Sequence, residues 1–210
     1  MLPRILLVFS ASIFAFIVLL TSIFRTASVK YEFPNSERRI NPQTLEKDSI
    51  QVDYILAYQG KVLPDSILWP LKALRDKVWL FLTTDELRRA ELLLLFADKR
   101  LASSKVLFEK GKADIGLTTL TKSEKYLEKA LNQEKENQKK GIDTQNFLQR
   151  LAKASLKHYQ VLQEILDIAP EAARPKIIET QNYAKKVYQE ARNSIFDKGG
   201  IPPENPFDWN

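Results

Sequence analysis

Residues 147–168 read FLQRLAKASLKHYQVLQEILDI, and the spacing of their apolar side chains decides the fold. Phe147, Leu151, Ala154, His158, Val161, Ile165 and Ile168 recur at alternating steps of four and three. That rhythm predicts a helix with one seam packed near 20° against its neighbours, as in bundles and coiled coils. The same rhythm runs through the flanking segments. Upstream, Ala113, Leu117, Leu120, Leu127 and Leu131 predict a helix from Ala113 to about Lys139, with Glu124 as the residue that breaks the stripe. Downstream, Ile177, Gln181, Ala184, Tyr188, Ala191 and Ile195 predict another, started by Pro170 and Pro175 and ended by Gly199-Gly200.

Outward from this core the pattern stays helical. Asp143 or Thr144 is expected to cap the helix of the seam. Thr83 and Glu86 have capping-box spacing and predict a helix running to about Lys110, stopped by Gly111. Leu92 to Ala97 is apolar on all sides, which predicts the most enclosed helix of the set. Before it, Asp65 or Ser66 is expected to cap a helix carrying Pro70 in its first turn, then Leu71, Leu74, Val78, Trp79, Phe81 and Leu82. Ile50, Tyr54 and Tyr58 predict a short helix from Leu45, ended by Gly60. No segment alternates with period two. The class is therefore all-α: an antiparallel bundle over residues 45–199, followed by a tail at 200–210 that Pro202, Pro203 and Pro206 keep from being helical throughout. Phe207 or Trp209 is expected to dock on the bundle. The 28- to 30-residue spacing of the last helices does not carry the fixed positions of a tetratricopeptide repeat.

The amino-terminal 25 residues differ in kind. Ile5 to Phe24 is an uncharged run of 20 residues between Arg4 and Arg25, interrupted only by Ser10, Ser12, Thr21 and Ser22. As a helix it would be roughly 30 Å long, the thickness of a bilayer's hydrocarbon core. Residues 1–25 are read as a retained transmembrane anchor, in contact with membrane lipid through 5–24, and residues 26–44 as a flexible tether. A cleaved signal peptide ending near Ala27 or Ser28 is the alternative. For orientation, Arg25, Lys30, Arg38 and Arg39 outnumber Arg4, which favours a cytoplasmic carboxyl side, whereas a short charged start before the run has the form of an export signal.

Composition excludes several kinds of chemistry. The chain has 210 residues, 32 Lys and Arg against 26 Asp and Glu, a formal charge of +6, 6 Gly, 1 His and no Cys. Disulfides and a Cys/His zinc site are impossible. Lys110-Gly111-Lys112 lacks the rest of a phosphate loop. A carboxylate-bridged di-iron bundle needs Glu three residues before His, and position 155 is Ser. Glu124 and Glu128 are one turn apart and could chelate only a hard cation. The positive charge is interspersed with acid, which does not read as a nucleic-acid surface; an anionic lipid or cell-wall polymer suits it better. His158 falls on the apolar seam and is expected to be buried and neutral, with acid destabilising the fold. Trp69 is expected to be buried as well.

The stretch Val62-Leu-Pro-Asp-Ser-Ile-Leu-Trp-Pro-Leu-Lys72, followed by Arg89-Ala-Glu-Leu and Ala97-Asp-Lys-Arg-Leu-Ala102, resembles a bacterial family known only as a domain of unknown function. Its pattern is LP-x-S-x-L-Y-P-L-K, then R-A-x-L-x-L-x-x-A-x-x-R-L, with Trp69 here in place of Tyr. The resemblance covers about residues 55–112. It implies a single transmembrane helix before the segment and a domain on the outer side of the membrane. It brings no activity, so no catalytic, cofactor-binding or metal-ligating residue is assigned. The function expected is a membrane-tethered, non-enzymatic interaction or scaffold module facing the cell envelope, with an unidentified protein partner and no nucleic acid. The alternative is an envelope enzyme or small-ligand carrier with an interhelical site near His158, lined by Tyr54, Tyr58, Tyr126, Tyr159, Tyr183 and Tyr188.

Overall fold

A computed structural model describes residues 51–209, together with 13–15 and 17–18, which are helical. The expected anchor at 5–24, apart from those five residues, and the tether at 26–44 lie outside the described residues. Among the described residues no helix is long and apolar enough to cross a membrane, and there is no strand. Five α-helices carry the fold: α1 (Trp69–Leu82), α2 (Glu86–Glu109), α3 (Ala113–Lys139), α4 (Gln145–Ile168) and α5 (Arg174–Asp197), the last entered through a 3-10 turn at Glu171–Ala173.

Local chemistry sets these boundaries. Asp85, rather than Thr83, caps α2 by accepting a hydrogen bond from the Arg88 N–H at 2.6 Å. Thr83 instead donates its hydroxyl back to the Trp79 carbonyl at 2.9 Å and closes α1. Gly111 and Gly141 follow α2 and α3 at φ +71° and +74°, a left-handed conformation that costs little only without a Cβ. Neither Asp65 nor Ser66 caps α1, whose N-cap is Leu68 without a side-chain bond. Asp65 is held by Lys112 at 2.6 Å instead. The helix expected over Leu45–Tyr58 is absent from its described part. Residues 51–59 are neither helix nor strand and bend at Asp53, where the Tyr54 N–H returns to the Val52 carbonyl at 2.8 Å; they lie across α2 and α4, because Val52 N–H finds Gln160 Oε1 at 3.0 Å and the Tyr54 hydroxyl donates to Asp98 Oδ2 at 2.8 Å. Those bonds replace the intrahelical ones, so the four-residue spacing of the aromatics misleads.

α2 and α3 form one hairpin, and α4 and α5 a second. Within each hairpin the helices are antiparallel, but between hairpins like-directed helices are neighbours. Arg150 bonds Glu91, His158 bonds Asp98 and Lys105 bonds Glu164, with partners 59, 60 and 59 residues apart in the chain. A constant offset means that α2 and α4 run parallel in register. Lys186 to Glu128 at 3.0 Å and Lys135 to Glu190 join α5 to α3 in the same sense. The bundle is therefore two hairpins stacked side by side, not a purely antiparallel array.

The first hairpin closes on small residues. Ala90, Ala97 and Ser104 recur every seven positions on α2, and Gly116, Ser123 and Ala130 do so on α3. The five with side chains are all 0 % exposed. The Ser104 hydroxyl reaches across to the Gly116 carbonyl and the Ser123 hydroxyl to the Ala97 carbonyl, both at 2.8 Å. Side chain to opposite backbone is possible only where the two backbones approach closely. A Cβ on Gly116 would meet the Phe108 ring at 3.0 Å.

The apolar run Leu92–Ala97 is enclosed as expected, none of it more than 5 % exposed. Its outer side is covered by Trp79, which meets Phe96 edge-on at 5.9 Å. Trp79, and not Trp69, is the buried tryptophan of α1; Trp69 is half-buried beneath the Lys72 ammonium. The carboxyl tail docks with both of its aromatics: Phe207 and Trp209 lie 4.7 and 5.0 Å from the Tyr159 ring, and the Tyr188 hydroxyl donates to the Pro203 carbonyl at 2.7 Å.

Two stability measurements check this arrangement. Trp79→Ala should cost about 3–5 kcal/mol in urea unfolding, whereas Trp69→Ala should stay within about 1 kcal/mol of the parent. Ala97→Leu adds volume where the backbones meet and should cost about 1–3 kcal/mol, as overpacking does.

Candidate functional site

The one histidine stands where three helices converge. His158 on α4 faces Asp98 on α2 and Glu124 on α3, and all three are 0 % exposed. Its Nδ1 lies 2.7 Å from Glu124 Oε1 and its Nε2 3.1 Å from Asp98 Oδ1. Both ring nitrogens thus face carboxylate oxygens, which accept hydrogen bonds, and only the imidazolium can donate to both at once. Asp98 Oδ2 accepts from the Tyr54 hydroxyl at 2.8 Å and from the Ala57 N–H at 3.4 Å. Ser123 Oγ, whose proton goes to the Ala97 carbonyl, lies 3.4 Å from Glu124 Oε1, while Glu124 Oε2 is buried without a partner.

This corrects the expectation of a neutral core histidine. Burial alone disfavours the charged ring, but the Glu124 charge, hydrogen bonds to Asp98 and Glu124, and the Asp98 charge outweigh it. The pKa rises from 6.5 to about 9. The expected acid sensitivity of His158 therefore reverses. The residue that interrupts the α3 stripe, Glu124, is the inward partner of His158. Glu128, one turn along α3, meets Lys186 at 3.0 Å instead, so it and Glu124 do not form a chelating pair.

The two carboxylates bond opposite edges of the imidazole and do not converge on a common point, and among the described residues no group of three His, Asp or Glu side chains is placed to hold a metal ion. Of the tyrosines named for a pocket near His158, Tyr54 does reach the cluster, as a hydrogen-bond donor to Asp98. Tyr126 packs on Phe96 under Arg100, Tyr159 and Tyr188 bind the tail, and Tyr58 is 63 % exposed. They do not line one site.

The proline-bearing stretch is also committed to structure. Leu63 is buried, and Lys72 Nζ donates to the carbonyls of Gln59 and Val62 at 2.8 Å each, drawing α1 against the end of the segment at 51–59. What this leaves exposed is the far side of α1. Of its 14 residues only Asp76 and Trp79 are buried. An open cleft of about 560 Å³ beside it is lined by Leu68, Leu71, Lys72 and Arg75, and on the opposite wall by Phe14, Ala15 and Val18 of the amino-terminal run.

These features define an all-helical protein with two hairpins stacked in register around a buried charged cluster, and an outlying amphipathic helix. Residues 61–172, more than half of the chain, match the family described as "Domain of unknown function (DUF5667)", and the chain belongs to that family. The match runs well past the segment at 55–112 on which the sequence resemblance rests, through α3 and α4, and so takes in Asp98, Glu124 and His158. No curated protein and no solved structure matches the chain.

The cluster sets a pH dependence whose sign is fixed. The folded pKa, about 9, lies above the ordinary 6.5 of an unfolded chain. The stabilisation is then fully present below about pH 6.5 and is lost as pH rises through about 9, at a slope approaching 1.4 kcal/mol per pH unit. Urea unfolding of the parent and of His158→Gln across this range is expected to show the slope in the parent only. Asp98→Asn at neutral pH should cost about 3–5 kcal/mol, because it breaks a buried ion pair one-sidedly.

Proposed function

We propose that the protein is a membrane-tethered, non-enzymatic interaction module. Residues 5–24 hold it in the lipid bilayer, residues 26–44 act as the tether, and the helical unit faces the cell envelope, where it engages a protein partner. The observation that carries this reading is the closure of the His158 cluster. The only imidazole in the chain is 0 % exposed and both of its nitrogens are occupied. A general acid or base must reach the proton it moves, and this one is turned wholly toward its own core. An interhelical substrate site near His158 would require α2, α3 and α4 to separate.

The outward placement is supported by the likeness of Val62–Lys72 to the LP-x-S-x-L-Y-P-L-K pattern, which in relatives follows a single membrane-spanning helix. It also suits the charge of the chain. A net +6 interspersed with acid favours contact with anionic envelope surfaces, lipid or cell-wall polymer, over the concentrated phosphate of nucleic acid.

Protease added outside intact cells is expected to remove the helical unit, and crosslinking in place to join it to envelope proteins. Diethyl pyrocarbonate should leave His158 unmodified in the folded protein. A unit protected from external protease would overturn the outward placement. Rapid modification of His158 without unfolding would overturn the non-catalytic reading.

A further inference from the structure

The rhythm of four and three that marks α3, α4 and α5 recurs in α1. Ile67, Leu71, Leu74, Val78 and Phe81 step by four and three from the turn ahead of the helix to its last turn. In α3 to α5 such a seam packs against neighbouring helices. In α1 none of the described helices covers it. Ile67 is 93 % exposed and Phe81 81 %, while Leu71 and Leu74, with Leu68 and Leu82 beside them, are half-buried. The helix buries Asp76 and Trp79 instead, on its other side. Phe14, Ala15 and Val18 border only the start of the seam, across an open cleft from Leu68 and Leu71.

Pattern, charge and area together name the occupant. A stripe that steps by four and three fits another helix, whose own stripe interdigitates with it. No charge stands on the seam itself. At about 100° per residue, Arg75 borders it on one side and Lys77 on the other. Arg75 is paired with Asp76 at 2.7 Å, and Lys72 is turned to the carbonyls of Gln59 and Val62. An apolar centre with charges at the rim is the make-up of a protein–protein interface. Ile67, Leu68, Leu71, Leu74, Phe81 and Leu82 expose roughly 700 Å² together, more than a monomer usually leaves in one patch. Burying most of that on two copies would remove roughly 1,200 Å² from water, where stable interfaces begin. A second copy carries the same stripe, and anchors in one membrane bring two copies to a high effective concentration.

We propose that α1 is a dimerisation helix: its seam packs about a two-fold axis on the same seam of a second copy held in the same membrane. The inference rests on the membrane-tethered reading, which keeps residues 5–24 in lipid and away from α1. For this face it makes the partner another molecule of the same chain. A seam of two heptads is short, so the pairing depends on the shared membrane.

The chain has no cysteine, so a single introduced one reports its own neighbours in the full-length protein. Leu74 is the middle residue of the seam. About a two-fold axis it meets its counterpart whether the two helices run parallel or antiparallel. Leu74→Cys is oxidised with copper phenanthroline in membranes of the expressing cell. It should form a disulfide-linked dimer roughly tenfold or more faster than Asn182→Cys, exposed on α5, which meets its counterpart only by chance. Phe81→Glu, added to Leu74→Cys, places a charge in the seam at an exposed position and should return the rate to that of Asn182→Cys. Equal rates at positions 74 and 182, or a rate at 74 that Phe81→Glu leaves unchanged, would overturn the inference. An adduct at 74 of any mass other than twice the chain's would assign the face to a different partner and overturn it too. These outcomes, with the protein still in the membrane after an alkaline wash, leave the anchor intact. Loss of the protein in that wash would instead defeat the membrane-tethered reading, and with it the ground for choosing a second copy over residues 5–24.

Discussion

The Asp98–His158–Glu124 cluster is the constraint on which the architecture turns. Three charges out of water would cost several kcal/mol each if unpaired. Their mutual placement at 2.7 and 3.1 Å is therefore demanding, and it fixes how far α4 can slide along α2 and α3. Apolar packing alone tolerates a shift of one turn far better than this does, because leucine seams are nearly periodic. The ion pairs Glu91–Arg150 and Lys105–Glu164 lie one step to either side on the same two helices and repeat the register at partly exposed positions. Such pairs add little stability, yet together with the buried cluster they admit only one alignment of the second hairpin on the first.

The helices themselves were legible in the residues. The rhythm of four and three, the apolar run at 92–97 and the terminating glycines place α2 to α5 within a residue or two of where they stand, because local periodicity and turn chemistry decide such boundaries. What was not legible depends on partners distant in the chain. Glu124 looks like a flaw in the α3 stripe until Asp98 and His158 are seen to share its pocket. Tyr54 and Tyr58 have helical spacing, but Val52 and Tyr54 bond residues on α4 and α2, and those bonds take the place of helical ones. One long-range signal does lie in the residues: Ala90, Ala97 and Ser104, with Gly116, Ser123 and Ala130, form two seven-residue series of small residues, which mark where two helix backbones meet closely.

The two tryptophans of α1 show the limit of a motif. Trp69 lies inside the most recognisable stretch of the chain and is half-buried, whereas Trp79, ten residues on and in no motif, anchors the helix against Phe96. Of the motif's fixed positions, Leu63 and Lys72 fasten the entrance of α1, and Asp65, at a variable position, adds its pair with Lys112. The stretch seats the entrance of α1 and leaves the opposite face of the helix exposed among the described residues.

The irregular segment at 51–59 has a mechanical consequence. It is the first described part of the folded unit that a pull from the amino-terminal side would reach, and it is tied by Val52 to α4 and by Tyr54 to α2. Tension on the chain would therefore reach both hairpins, one through each of these bonds. Helix α1 comes later in the chain, beyond the turn at Gly60 (φ +82°), and stands outside that load path. A force applied from that side would strain the charged centre of the protein before it disturbed α1, because the Tyr54 hydroxyl is bonded to Asp98 and the amide of Val52 to Gln160.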